Sequence, residues 1–280
     1  MLRAGAAGWA CEMLTACGIT LRLGRREVLR SVDFDARPGA LTAIVGPNGS
    51  GKTTLLRALV GDLPHDGTVL MDGTPLTRLK PWELAARRAV LRQATPLAFP
   101  FTVREVVGLG LAAGPHAAEP GIAAAALAAV GLRGYGARFF QELSGGEQAR
   151  AQLARVLAQV WAPVAQGRAR WLFLDEPVAS LDIGHQLQVM RLARDYAARG
   201  GGVVAVMHDL NLTAMFADAV ALIHDGRILA NGPPARVLTD AHLSHAYACP
   251  LRTNRPPGPG QVFVLPQAVE ETAVCARVAR

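Results

Sequence analysis

The sequence predicts an α/β fold built on a parallel sheet, and three observations carry that prediction. The apolar run at 41–45 has the length of a strand, and the runs at 171–174 and 203–207 are continuous apolar segments of the kind buried on both faces of a parallel sheet. A helical pattern over 183–198, with Ile183, Leu187, Met190 and Ala197 near one side, separates the second run from the third, as a βαβ crossover requires. The first run opens directly into a glycine-rich loop followed by the apolar helix residues Leu55, Leu56, Ala58, Leu59 and Val60. A chain of 280 residues, 51% of them apolar, is long enough for one large domain or two small ones and for a sizeable core.

The remaining elements follow in order. Residues 1–12 carry a short Ala/Gly-rich run too brief for a secretory signal and are expected to be a dispensable or mis-annotated extension. Alternation at Ile19, Leu21 and Leu23, and again at Val32 and Phe34, predicts two strands joined by a polar turn at 24–27. A strand at 68–71 ends in the tight-turn pair Asp72-Gly73, and a helix over 81–88 starts on a first-turn proline. The stretch 106–135, rich in Ala, Leu and Gly, reads as a compact helical insertion broken at Gly114-Pro115 and at Glu119-Pro120-Gly121. A hairpin spans 219–223 and 227–230 around His224-Asp225-Gly226. Beyond Cys249 come a Pro/Gly-rich run at 255–260, a short strand at 261–265 and a loose tail.

Composition narrows the function classes. No apolar stretch reaches the ~18 residues of a membrane span. The net charge of +7 comes almost wholly from arginine, since Lys52 and Lys80 are the only lysines. Those arginines are scattered, which is the pattern of a solvated surface rather than a nucleic-acid footprint. Cys11, Cys17, Cys249 and Cys275 show neither metal-site nor disulfide-framework spacing, which fits a reducing compartment.

The loop Gly46, Pro47, Asn48, Gly49, Ser50, Gly51, Lys52, Thr53, Thr54 satisfies the template G-x-x-x-x-G-K-[ST] between a strand and a helix. Its glycines let successive N–H groups turn inward on phosphate oxygens, and the helix start adds its unpaired N–H groups. Lys52 is the residue to bridge the β- and γ-phosphates, and Thr53 the one to place a hydroxyl on Mg²⁺. The run at 171–174 ends in Asp175 and Glu176, where ligands sit in open α/β sheets; Asp175 is suited to Mg²⁺ and Glu176 to polarising an attacking water. Ser144 with Glu147 three residues on forms a capping box at a helix start. Gly145 and Gly146 in the first turn are costly for a helix unless another group approaches the backbone closely.

Leu143-Ser144-Gly145-Gly146-Glu147-Gln148 resembles the signature motif of ATP-binding cassette (ABC) ATPases, and the other motifs fall in that family's order. The resemblance runs from about residue 14 to 264. It implies a P-loop NTPase with a RecA-like core, an antiparallel β subdomain and an inserted helical subdomain at about 94–160, within a domain at 13–250 followed by a tail at 251–280. It implies ATP and Mg²⁺ as ligands and a head-to-tail homodimer in which Ser144, Gly145 and Gly146 of one chain meet the γ-phosphate held by the other. Glu147 stands where many members have glutamine, a variant common in importers. Ser180-Leu181-Asp182 matches the D-loop, His208 the switch histidine, and Gln93 the Q-loop glutamine that senses Mg²⁺ and water and connects to the transport partner. One position departs: the aromatic residue that usually stacks on adenine is replaced by Leu23, which lacks a π surface.

Residues 91–93, 97–103, 141–148, 154–159 and 180–187 resemble the ATPase of bacterial haemin importers, within the iron-siderophore and cobalamin group, as does the insertion at 163–170. That implies a peripheral ATPase on the cytoplasmic face of the inner membrane, bound to a polytopic permease dimer and indirectly served by a periplasmic substrate-binding protein. Ferric siderophore or cobalamin is the alternative cargo. Soluble ABC ATPases acting on nucleic acid or the ribosome are disfavoured because neither a long coiled coil nor a second cassette is present. His65, His116, His185, His224, His242 and His245 read as surface groups rather than haem ligands.

Overall fold

The computed structural model describes residues 13–93, 99–115, 119, 121–258 and 260–269; the predicted extension at 1–12 lies outside them, as does part of the predicted insertion. The chain begins with β1 (Leu14–Leu23) and β2 (Arg26–Ala36), then β3 (Leu41–Val45), α1 (Lys52–Leu59), β4 (Asp66–Met71) and β5 (Thr74–Pro75). Next come α2 (Pro81–Arg87), β6 (Arg88–Leu91), α3 (Val103–Ala113), α4 (Ile122–Ala129) and α5 (Gly145–Gln159). The C-terminal half holds β7 (Val164–Ala165), β8 (Arg168–Ala169), β9 (Trp171–Asp175), α6 (Ile183–Ala198), β10 (Gly202–Val206) and α7 (Leu210–Phe216). It closes with β11 (Ala219–His224), β12 (Arg227–Gly232), α8 (Pro234–Val237) and α9 (Asp240–Tyr247).

Two sheets organise these elements. A six-stranded sheet runs β12-β11-β3-β10-β9-β6, parallel except for the antiparallel edge strand β12, and an antiparallel sheet runs β2-β1-β4-β5. The apolar runs are buried on both faces because their side chains alternate between two cores. Leu41, Ala43, Val45, Leu172, Leu174, Val203 and Ala205 face the core that also contains residues of α3, α4, α5 and α6. Ile44, Trp171, Phe173, Val204 and Val206 face a second core shared with α1, β1 and β2. The glycine-rich loop thus springs from the middle of the parallel sheet, with the antiparallel sheet beside it.

The helical insertion is held by close backbone approach. A Cβ at Gly110 of α3 would collide with the Arg155 carbonyl of α5, and one at Gly114 with the Gln159 carbonyl. Gly110→Ala must push α3 off α5, so it is expected to cost about 1–3 kcal/mol of stability, the usual penalty of overpacking. A chemical denaturation midpoint measured against the parent chain checks this.

Some expected elements differ. Residues 261–265 pair with no strand among the described residues, leaving Val262 and Val264 exposed, so the predicted strand does not form. The four-residue β6, which forms the far edge of the parallel sheet, was not anticipated, because its residues continue the apolar pattern of the helix before it. Ile183, expected on the core side of α6, is 48% exposed at the first position of that helix.

Candidate active site

The loop after β3 turns on glycines that no other residue could replace without strain. Gly46 has φ +151, with the Ile223 carbonyl where a Cβ would sit, and Gly49 and Gly51 have φ +77 and +110. Gly51 is the N-cap of α1 and Lys52 its first residue. The Lys52 side chain is buried, and its Nζ donates to the carbonyls of Gly46 and Pro47, each at 2.9 Å. Burial lowers the Lys52 pKa, an effect opposed by the nearby carboxylates of Glu176 and Asp175.

The end of β9 brings the acidic pair to the same place. The Thr53 hydroxyl donates to Asp175 Oδ1 at 3.0 Å, and burial raises the Asp175 pKa above the usual carboxylate value. Glu176 adopts a left-handed backbone with φ +53, and its N–H donates to the Val206 carbonyl at the end of β10. Gln93, two residues past β6, donates from Nε2 to Glu176 Oε2 at 2.9 Å, while His208 Nε2 lies 2.5 Å from Glu176 Oε1. The anchor for His208 is its neighbour Asp209, whose carboxylate caps α7 by accepting from the N–H groups of Asn211 and Leu212.

A cleft of about 330 Å³ joins these groups, lined by Leu23, Arg26, Val28, Asn48, Gly49, Gly51, Lys52, Thr53, Thr54, Glu176 and His208. A second, larger cavity lies on the other side of the carboxylates, among Gln93, Gln141, Gly145, Gln148, Asp175, Glu176 and Ser180. The structure therefore gathers the loop residues, Asp175, Glu176, Gln93 and His208. Ser144 and Glu147 do not line the first cleft. Ser144 caps α5, its hydroxyl donating to Glu147 Oε2 at 2.9 Å and accepting from the Glu147 N–H at 3.3 Å. The Ser144 N–H, donating to Glu147 Oε2 at 2.8 Å, and then the Ser144 hydroxyl hold the Glu147 pKa below its usual value. Asp182 caps α6 through the His185 N–H at 2.9 Å. A Cβ on Gly146 would touch Leu181 and the Ser180 carbonyl, so the signature and D-loop segments are neighbours.

Two cleft residues, Arg26 and Val28, were not singled out by sequence. Arg26 faces Leu23 directly in the β1–β2 register, a relation that a hairpin prediction with a two-residue turn would have given.

Comparison with known proteins places this geometry. Residues 29–179, just over half of the chain, match the ABC transporter family model. The chain is 60% identical over 260 residues to the hemin import ATP-binding protein HmuV of Jannaschia sp. (strain CCS1), covering 93% of this chain and 96% of that one. It is 62% identical over 255 residues to the protein of the same name from Roseobacter denitrificans, covering 91% and 98%. The Rhizobium meliloti counterpart is 57% identical over 259 residues, covering 91% and 99%. Among solved structures, the ADP conformation of an ATP-binding cassette of an ABC transporter aligns with TM-score 0.70 and 25% identity over 85% of this chain and 98% of that chain. A nucleotide-free cassette aligns with TM-score 0.68 and 23% identity over 85% and 96%, showing the shared fold. The chain belongs to the ABC transporter family, as one of its ATP-hydrolysing cassette subunits.

Proposed function

We propose that the chain is the ATPase subunit of a bacterial haemin importer. The observation that carries the cargo is identity of 57–62% across more than nine-tenths of the chain to three hemin import ATP-binding proteins. No helix among the described residues is long and apolar enough to cross a membrane. On this reading the chain sits on the cytoplasmic face of the inner membrane through a permease dimer, which a periplasmic binding protein loads. Trp82, Phe99, Leu109 and Phe139 are exposed apolar side chains on α2, α3 and the segments after Gln93 and before α5, which suits docking to such a partner.

The residues fit a Mg²⁺ ion beside ATP. Thr53 and Asp175 already converge at 3.0 Å, and the burial that raises the Asp175 pKa is a penalty that a bound cation relieves. Thr53, Asp175 and Gln93 would hold the ion, which supplies neutralisation of phosphate charge. Lys52 exchanges the Gly46 and Pro47 carbonyls for the β- and γ-phosphates, held with the N–H groups of residues 46–54. Glu176 accepts the proton of the attacking water, Gln93 and His208 hold its two oxygens in place, and His208 reaches the γ-phosphate. Ser144, Gly145 and Gly146 of a second chain, flanked by its Asp182 loop, complete each site. Closure then pulls the permease through the groove around Gln93 and Phe99, and hydrolysis resets it.

The test is ATP hydrolysis by the chain co-purified with its genomic-neighbour permease in proteoliposomes. Haemin-loaded binding protein on the outer side is expected to stimulate turnover several-fold. Stimulation by cobalamin or a ferric siderophore, and none by haemin, would overturn the cargo.

A further inference from the structure

An ATP molecule in the first cleft has its phosphates at Lys52 and Thr53, so its base must lie against the far wall. That wall is Leu23, Arg26 and Val28, and no Phe, Tyr or Trp among the described residues lines the cleft. Leu23 and Arg26 face each other across the turn of the β1–β2 hairpin, both exposed. Glu27, the adjacent carboxylate, is occupied by Arg22 at 3.1 Å and by Arg30 at 4.0 Å. The Arg26 guanidinium has no hydrogen-bond or ion-pair partner among the described residues, although it borders the cleft.

We propose that Arg26 is the platform on which the nucleotide base stacks, with Leu23 and Val28 packing against the base and sugar. The inference rests on the cleft being the ATP site. A guanidinium is planar, weakly hydrated and always charged, and it stacks on aromatic faces as an ammonium does not. Stacked face-on, the guanidinium keeps its N–H donors in its own plane, away from the edges by which the purines differ. It therefore accepts guanine as readily as adenine, and the arrangement predicts similar affinities for ATP and GTP.

The alternative role of a lone cation here is a salt bridge to phosphate, and substitution separates the two. Calorimetric titration of the full-length chain with ATP, GTP and inorganic tripolyphosphate is the experiment, on the parent and on Arg26→Ala, Arg26→Lys and Arg26→Tyr. Arg26→Ala is expected to weaken ATP and GTP about tenfold, the scale of a stacked cation–π contact. Tripolyphosphate binding should hold, Arg26→Lys should fail to rescue the nucleotides, and Arg26→Tyr should restore them. Full rescue by Arg26→Lys, or an equal loss for tripolyphosphate, would assign Arg26 to phosphate and overturn the proposal, as would unchanged ATP binding in Arg26→Ala. Absence of ATP binding by the parent chain would instead remove the reading of the cleft itself. Because the side chain is exposed on a hairpin, circular dichroism of each variant is expected to match the parent.

Discussion

Glu176→Gln is expected to lower ATP turnover about 100- to 10,000-fold, the range supplied by a positioned general base, while nucleotide affinity stays close to that of the parent. Glu176 is the convergence point of the site. Its carboxylate receives Gln93 from the edge of the sheet and faces His208 from the end of β10. Its left-handed backbone, φ +53, aims it there, and the N–H bond to Val206 fixes that turn. Glutamine preserves the shape but has only one oxygen for two neighbours and cannot accept the proton of water. The substitution leaves the loop N–H groups and the Lys52 bonds to Gly46 and Pro47 in place, and bound phosphates take over from the lost Glu176 carboxylate in sustaining the Lys52 charge, so the phosphates remain bound. Phosphate-release kinetics at saturating ATP read the effect, and undiminished hydrolysis would remove Glu176 from the role of base.

Lys52→Met is expected to weaken ATP binding about 100-fold or more, because charge-assisted hydrogen bonds contribute about 1.5–3 kcal/mol each and the ammonium makes more than one to the triphosphate. Methionine fills much of the same buried volume, which limits the cavity cost. The loop then lacks the donor that now holds the Gly46 and Pro47 carbonyls at 2.9 Å, so part of the loss arises from a less ordered cradle. Burial already works against the charged form of Lys52, and Glu176 and Asp175 sustain it. Calorimetry with ATP measures the affinity, and an unfolding midpoint near that of the parent separates a lost contact from a lost fold.

Much of the fold was legible because the chain's strands are short and apolar on both faces. The run 41–45 matches β3 residue for residue, and alternation of Trp171 and Phe173 against Leu172 and Leu174 divides two cores. Capping chemistry located α5 from Ser144 and Glu147, and Asp182 caps α6. What stayed hidden depends on pairing. β6 is four residues that become a strand only because β9 lies alongside, and residues 261–265 form a short apolar run that meets no partner strand among the described residues. In the site, the loop template and the strand-end carboxylates pointed to Lys52, Thr53, Asp175 and Glu176, the family resemblance pointed to His208 and Gln93, and the structure brings those six together. Arg26 was not legible, since its relevance comes from hairpin register and from Glu27 being taken by two other arginines. The proposed trans contact of Ser144 would likewise be a property of two chains, and one chain displays only the capped, self-satisfied form.

On the proposed reading, ATP is held between the loop at Lys52 of one chain and the helix start at Ser144 of another. Light scattering with nucleotide quantification on the Glu176→Gln chain, with and without saturating MgATP, addresses it directly. ATP is expected to convert a 29.5 kDa species to one of twice that mass with one nucleotide per chain, and adding Ser144→Arg is expected to abolish the dimer while nucleotide stays bound. A Glu176→Gln chain that binds ATP fully and remains at the monomer mass would contradict it.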